Sequence, residues 1–518
     1  VLEFAATPAR VREATKLAYS LGLDLTSSVQ DYWSTLPQVS KIANFAFTLK
    51  PYQAAGVAHL EKWNGTALIG DEPGTGKTAQ VMAYAFKNHR FPMLVILPKT
   101  LLLNWRNEIT RMLGTQLKVL VVGFVPNKQR LEQLKRQYPH VSFSKTPQSG
   151  FDVTLINYDI VKRNLQVLEN IQYDYVAVDE SHKIKNAKAQ RTLAILRLVT
   201  GKEPVPNKKG VFRVLHKGVP SVTFMTGTPI VNRPLELWTT VSTIADWVPQ
   251  FSNFMKFATR YCDGQRTRFG WDFSGSTNQD ELNKLLLDTV MIRRRKEDVL
   301  KELPPKTFVT VPLEFDRAEY DSVANAFDHS GNWKQGMETL VRYGGNPAKS
   351  DEAIVAINKC REIAAYAKLA NAVEWILDYV EEGEKLVVFA HHQLMVNTIH
   401  DRVRDAGVGV RMIRGGISPE DRAQAAEDFQ TDPTVKVIVI NITSGGFGIT
   451  LTAAKACAFL QLPWSPAEFD QCSDRIHRIG QQDNVTVYTL VAEGTVEEEM
   501  AALILAKRQV IDAVVDGK

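Results

Sequence analysis

Short apolar runs recur along the chain, and each ends in a small polar cluster. Ala67–Ile69 runs into Asp71–Thr78, Met93–Leu97 into Pro98–Thr100, and Asp152–Ile156 into Asn157 and Tyr158. Tyr175–Val178 ends in Asp179–His182, and Val222–Met225 ends in Thr226–Pro229. Helical spacing fills the intervals between the runs. Uninterrupted apolar strands alternating with helices predict a parallel sheet covered on both faces. Ligands of such sheets sit beyond the carboxyl ends of the strands, where all these clusters fall. The rhythm resumes at Leu386–Ala390, Val410–Ile413, Val435–Ile440, Ala456–Leu462 and Val485–Val491, which predicts a second α/β lobe.

The remaining stretches fit around these lobes. Residues 1–40 form an N-terminal helical segment, with Ala14, Leu17, Ala18 and Leu21 at helical spacing. The first lobe is expected over 41–245, with Leu49–Gln53 followed by an amphipathic helix through Trp63. Strands are expected to stop over 246–365, a helical, aromatic-rich region of insertions and inter-lobe connection. Leu303–Lys306 reads there as the linker. The basic run Arg293–Lys296 reads equally as a solvated helix face or as the lining of a phosphate path. The second lobe is expected over 366–495. Residues 496–518 form a packing helix whose acidic start (Glu497–Glu499) and basic end (Lys507, Arg508) complement the helix dipole. Residues 201–220 read as a solvated basic loop, with DNA contact by Lys208, Lys209 or Arg213 as the alternative.

Composition narrows the class. The 518 residues are 44% hydrophobic and 23% charged, enough to build large cores and too apolar for a disordered chain. No apolar run is long enough to span a bilayer, so no membrane role is expected. Cys262, Cys360, Cys457 and Cys472 are too sparse for a disulfide framework and lack zinc-like spacing. A soluble protein of a reducing intracellular compartment follows: cytoplasm or nucleoid, the nucleus of a eukaryote, or a host cytoplasm for a phage-encoded chain. A net charge of +5 permits nucleic-acid binding through local patches without arguing for it.

The sharpest chemistry lies at Asp71–Thr78. Strand, glycine loop and helix together make a phosphate cradle. Gly74 and Gly76 let the backbone aim several N–H groups, Thr75 among them, at one anion. Lys77 reaches the β- and γ-phosphates, and the Thr78 hydroxyl ligates Mg²⁺. The strict pattern has Gly where this chain has Asp71. Asp179 and Glu180 supply the remaining needs of nucleotide hydrolysis: Asp179 holds the magnesium shell and Glu180 orients or deprotonates water. An acidic cap after the strand is the structural alternative. Together the two motifs read as a P-loop NTPase that uses Mg²⁺. In the second lobe, Arg475 and Arg478 would share a face if Gln471–Gln481 is helical. They read either as a solvated basic face or as charges that neutralise the γ-phosphate.

These residues resemble the Swi/Snf-type family of DNA translocases in helicase superfamily two. The matching segments run in order from Leu49–Gln53 to Pro463–Gln482, with Asp179–His182 and Asp474–Gln481 the most specific. The resemblance implies two RecA-like lobes with ATP between them, Gln53 on the adenine, and Arg475 and Arg478 as arginine fingers. It also implies that His182, Thr226, Gly227 and Thr228 couple hydrolysis to lobe motion. For DNA contact it implies Lys99, Thr100, Asn157, Tyr158, His391, His392, Arg414, Gly415, Ser444, Gly445, Gly446 and Trp464. Pro73 and Thr75 stand where the family commonly has Met and Leu, and Thr450 stands where many remodellers have Asn.

The family mostly moves along duplex DNA without separating strands. The expected function is therefore an ATP-dependent double-stranded DNA translocase acting on duplex or branched DNA, with a monomeric motor unit. The short single-motor layout looks more like fork-remodelling and annealing-helicase-like members than nucleosome remodellers. An ATP-gated clamp without stepping, or the motor subunit of a nuclease or restriction system, is the alternative.

Overall fold

The computed structural model describes residues 8–21, 39–203, 213–230, 233–268, 270–318, 320–322, 352–445, 449–501 and 504. The chain divides into two compact units, with the boundary between Arg295 and Lys296.

The first unit is built on β1 (Ala67–Ile69), β2 (Met93–Leu97), β3 (Val119–Val122), β4 (Val141–Ser144), β5 (Val153–Asn157), β6 (Tyr175–Asp179), β7 (Val222–Met225) and β10 (Met291–Ile292). They form one sheet in the order β10-β1-β7-β6-β2-β5-β3-β4, parallel throughout. Every residue of β1, β2, β3, β5, β6 and β7 is buried. Because successive side chains point to opposite faces, both faces of the sheet are covered. A two-stranded antiparallel hairpin, β8 (Gln265–Thr267) and β9 (Gly270–Asp272), stands apart from this sheet.

The second unit holds β11 (Lys306–Leu313), β12 (Leu386–Ala390), β13 (Gly409–Ile413), β14 (Val435–Asn441), β15 (Ala456–Phe459) and β16 (Val485–Ala492), again all parallel, in the order β11-β16-β15-β12-β14-β13. Its core shows the strand period directly. Val387, Phe389, Ile438, Ile440, Cys457 and Phe459 join one hydrophobic cluster, while Leu386, Val388, Val437, Val439, Ala456 and Ala458 join another. Alternate residues of three neighbouring strands feed two layers on opposite faces.

Several expectations need correction. Strands do not stop between 246 and 365: β10 pairs with β1, and β11 pairs with β16 along eight residues. β10 is too short, and β11 too exposed at its edge position, to show as a buried-type run. Leu303–Lys306 is not a free linker, because Lys306 already pairs with Val485 and Val485 N donates to Pro305 O. The N-terminal helix forms over Pro8–Ser20, but its buried residues are Val11 and Thr15, while Leu17 and Leu21 are exposed. Residues 22–38, Lys208, Lys209 and 505–518 lie outside the described residues; Arg213 is exposed.

Candidate nucleotide site and candidate nucleic-acid contacts

In a parallel sheet all carboxyl ends lie along one edge, so strand order decides which polar clusters are neighbours. β1, β7 and β6 are consecutive. They bring Asp71–Thr78, Thr226–Pro229 and Asp179–His182 side by side, with Lys99 and Thr100 beyond β2 on the next strand.

The glycine loop has the backbone a phosphate cradle needs. Gly74 and Gly76 have φ of 84° and 83°, a left-handed conformation that disfavours any Cβ. Gly76 caps the helix Lys77–Lys87, and a Cβ there would collide with the Gln53 amide. Gln53 Nε2 and Tyr52 OH both donate to Thr75 O, at 3.1 and 2.8 Å. Gln53 Oε1 accepts from Lys50 N at 3.0 Å. Gln53 is thus buried against the loop. Lys77 Nζ donates to Asp71 O and Glu72 O at 2.8 and 3.1 Å, curling over the loop. Burial pushes its ammonium below the usual value, while Glu180, Asp71 and Asp179 pull it back. Thr78 is half-buried one residue further into the helix.

Asp71, where the strict pattern has Gly, is fully buried. Its carboxylate accepts from Arg294 through both oxygens (Nε–Oδ1 2.9 Å) and from Gln80 Nε2 at 3.0 Å. Arg293 Nη1 donates to Gly70 O at 2.6 Å and to Gly227 O at 3.1 Å. Neither arginine fits the solvated-face reading: they staple the loop from the end of β10. Pro73 also finds its reason here. Its ring lies against Gly227, where an added Cβ would come within 2.6 Å of Pro73 Cγ.

Asp179 ends β6 and is buried. Trp105 Nε1 donates to its Oδ2 at 2.7 Å, and Glu180 N donates to its Oδ1 at 2.9 Å. Burial and the neighbouring Glu180 raise its carboxyl well above the usual range, against the Trp105 hydrogen bond and Lys77. Glu180 has φ 53° and ψ 50°, left-handed for a residue with a Cβ, at a cost of order 1–3 kcal/mol. Tyr158 OH donates to Asp179 O at 2.6 Å and also reaches Glu180 O at 3.3 Å, which holds this turn. His182 Nδ1 lies 3.2 Å from Thr226 Oγ1 and 3.4 Å from Glu180 Oε2. Burial pushes the His182 imidazole down to about 4, so it is neutral at physiological pH. Thr226 Oγ1 also accepts from Thr228 N at 3.1 Å. His182 therefore sits between Glu180, just after β6, and the Thr226–Thr228 turn that follows β7, to which it is hydrogen-bonded.

The nucleic-acid expectations divide. Lys99 is exposed and Thr100 half-buried. Asn157 and Tyr158 are corrected: both are buried, Asn157 Oδ1 accepts from Asp159 N at 3.1 Å as a cap, and Tyr158 supports the acidic turn. In the second unit His391 N and His392 N both donate to Gln461 Oε1, and Asn441 Nδ2 donates to His391 O. These bonds tie together the ends of β12, β14 and β15. Arg414 is half-buried, with Nη1 donating to Gly415 O at 3.2 Å. Trp464 is half-buried, and the Arg361 guanidinium stacks on its ring at 3.9 Å. Ser444 and Gly445 lie in the short helix Ile442–Gly445, and Gly446 lies outside the described residues.

The arginine pair also needs correction. The helix Pro466–Ser473 ends before it, and Arg475 and Arg478 lie in the turns that follow. Asp474 turns the chain. Its Oδ1 is 2.8 Å from Lys296 Nζ and 2.6 Å from Lys306 Nζ, inside a buried pocket. Burial alone would raise this carboxyl, but the two ammonium groups hold it well below the carboxylate range. Lys296 Nζ also donates to His477 O at 2.8 Å, and Arg478 Nε to Asp474 O at 2.9 Å. Arg478 Nη1 reaches Thr450 Oγ1 at 3.5 Å. Arg475 is buried, its carbonyl accepting from Leu451 N.

Sequence reasoning missed Trp105, Arg293 and Arg294 as neighbours of the candidate nucleotide site, and Lys296 and Lys306 as supports of the arginine turn. A signal existed for the first arginine pair. Val290–Ile292 is an apolar run ending in a polar cluster, like the others.

Comparison with known proteins bears on the family. The SNF2-related domain model matches residues 52–203 and 218–353, and the helicase conserved C-terminal domain model matches 367–480. A SWI/SNF-related matrix-associated actin-dependent regulator of chromatin subfamily A-like protein 1 from Xenopus laevis is 29% identical over 89% of this chain and 44% of its own length. The DNA annealing helicase and endonuclease of Homo sapiens is 29% identical over 91% of this chain and 40% of its own length. This chain thus spans under half the length of these relatives. The Sulfolobus solfataricus SWI2/SNF2 ATPase core in complex with dsDNA aligns over 93% of this chain and 96% of its own, at 24% identity and a TM-score of 0.41.

Proposed function

We propose, from the premise that this chain belongs to the SNF2-related family of helicase-like ATPases, that it is an ATP-driven motor tracking along double-stranded DNA and remodelling branched DNA or protein–DNA complexes. The observation that carries the reading is the adjacency on β1, β7 and β6 of a phosphate cradle, a linking threonine turn and an acidic pair. Lys77 and the loop N–H groups bind the triphosphate, and Glu180 orients the attacking water. Thr78 and Asp179 would hold Mg²⁺, which supplies charge neutralisation between the phosphates. The fit is good: Thr78 lies in the first turn of the helix beside the cradle, and Asp179 is a buried carboxylate with one neutral side-chain donor on it.

His182 is neutral and bonded to Thr226, so a change at Glu180 on hydrolysis passes to the β7 turn. Arg475 and Arg478 complete the ATP site when the lobes close, and the phosphate grip on DNA comes from Lys99, Thr100, Arg414, Ser444, Gly445 and Gly446. Sequence-independent stepping requires such backbone contacts rather than base contacts. The relative named a DNA annealing helicase favours a branched or forked substrate. The four cysteines are free and buried, in keeping with a reducing compartment, and among the described residues no helix is long and apolar enough to cross a membrane.

Steady-state ATPase measured with and without DNA tests the reading. Duplex DNA should raise the rate many-fold, and forked DNA at least as much. A rate that stays basal at saturating duplex overturns the motor.

A further inference from the structure

The hairpin β8–β9 is separate from the sheet that carries the candidate nucleotide site, and its construction is specific. Its register sets Arg266 directly opposite Trp271. Cross-strand partners share one face of a hairpin, and residues two apart on a strand share it too. Arg266 and Trp271 therefore lie on one face, and Phe273, just past the end of β9, joins it through the stack with Trp271. Trp271 is 49% exposed and stacks on Phe273, with centroids 5.7 Å apart and planes 5° from parallel. Phe273 meets Phe254 edge-on at 5.4 Å, Phe254 meets Trp238 at 5.5 Å, and Trp238 meets the fully buried Phe257 at 5.5 Å. The exposed indole is the outer end of an aromatic ladder rooted in the core.

The base of the hairpin is fixed as well. A Cβ on Gly264 would come within 3.0 Å of the Phe273 ring, so that ring is closely seated. Thr277 N donates to Tyr261 O, and Thr267 Oγ1 donates to Gly270 O at 2.9 Å, closing the strands at both ends. A surface tryptophan held flat by such a stack, with an arginine at its side, does not bury its own ring. It suits a flat aromatic ligand carrying negative charge. An unpaired nucleotide has that chemistry: its base stacks on the indole and its phosphate meets the guanidinium.

We propose that the Arg266–Trp271–Phe273 face is a stacking platform for an unpaired nucleobase, through which the chain distinguishes branched or single-stranded DNA from continuous duplex. This rests on the DNA-motor reading but is tested separately from it. Full-length wild type, Trp271→Ala, Trp271→Phe and Arg266→Ala are titrated against a blunt duplex and against a fork carrying 2-aminopurine in its unpaired arm. Wild type should quench the probe. Trp271→Ala should abolish the quench and weaken fork binding roughly tenfold, with duplex binding and duplex-stimulated ATPase unchanged. Trp271→Phe should restore part of both, and Arg266→Ala should weaken fork binding while leaving the quench at saturation.

The platform is overturned if Trp271→Ala and wild type bind the fork equally, or if no quench occurs, as when the face serves a protein partner. It is also overturned if fork and duplex binding fall together. Should Trp271→Ala fail to fold, Trp271→Phe and Arg266→Ala still decide through the fork-to-duplex ratio. Failure of duplex to stimulate wild-type ATPase would strike the motor reading and leave the quench to report on the platform.

Discussion

Asp71 is a buried carboxylate whose charge is met by one guanidinium and one amide. Removing one partner of such a pair strands the other in a low-dielectric site, at about 3–5 kcal/mol. Arg294→Ala should therefore destabilise the protein by that amount in urea denaturation, while Asp71→Ala combined with Arg294→Met should recover most of it. Equal losses in the single and double variants would refute the pairing. Trp105 makes a second prediction. Trp105→Phe keeps the ring and removes the donor to Asp179, and a hydrogen bond to a charge contributes about 1.5–3 kcal/mol. Roughly tenfold more Mg²⁺ should then be needed for half-maximal ATPase, with the affinity for a fluorescent nucleotide in EDTA unchanged. Of these residues the sequence marks Asp71 only as a departure from a pattern. Its partner lies 223 positions away, and no spacing rule reaches that far. Lys77, Asp179 and Glu180 could be nominated from sequence because the glycine loop and the strand end that carry them are local patterns.

At the scale of elements, the turn after Pro466–Ser473 is the instructive case. Arginine spacing suggested a helix face, and what the protein builds is a loop folded around Asp474. Two lysines from sequence read as a basic run and a linker hold that carboxylate, and Arg478 leans on its carbonyl. Lys306→Met leaves Asp474 with one ammonium and loosens the turn. It should lower kcat about tenfold with little change in nucleotide affinity, the pattern of a misplaced transition-state group. Arg478→Ala should lower kcat on the order of a thousandfold, again sparing affinity. Single-turnover rates beside equilibrium nucleotide binding separate the two quantities, and a parallel loss of both would undo the finger assignment. Long apolar strands such as β2, β12 and β14 were legible because burial on both faces writes itself as an unbroken run. β10 was not, because two residues make no pattern, nor was β11, an edge strand that is mostly exposed and neither alternates nor runs unbroken apolar.

The whole molecule carries a pH dependence set by imidazoles shielded from water, the largest shifts falling on two rings in each unit. His59 and His182 in the first, and His391 and His477 in the second, are each pushed by burial down to about 4. An unfolded chain protonates these rings near 6.5. Between about 6.5 and 4 the unfolded state therefore binds more protons than the folded state, and stability falls as pH falls. Each ring contributes at most about 3 kcal/mol across that window. Asp179 acts in the opposite sense, since its raised carboxyl takes a proton in the folded state first, but it is one group against four. Asp474, held low, costs nothing until pH drops below the ordinary carboxylate value near 4. Urea midpoints should therefore be flat above pH about 7 and decline steadily towards pH 4.5. His59→Asn and His391→Gln should each make that decline shallower, in a transition belonging to their own unit. A midpoint that holds constant or rises on acidification from 7 to 4.5 would mean that these four rings are hydrated and free to take up protons within the folded protein.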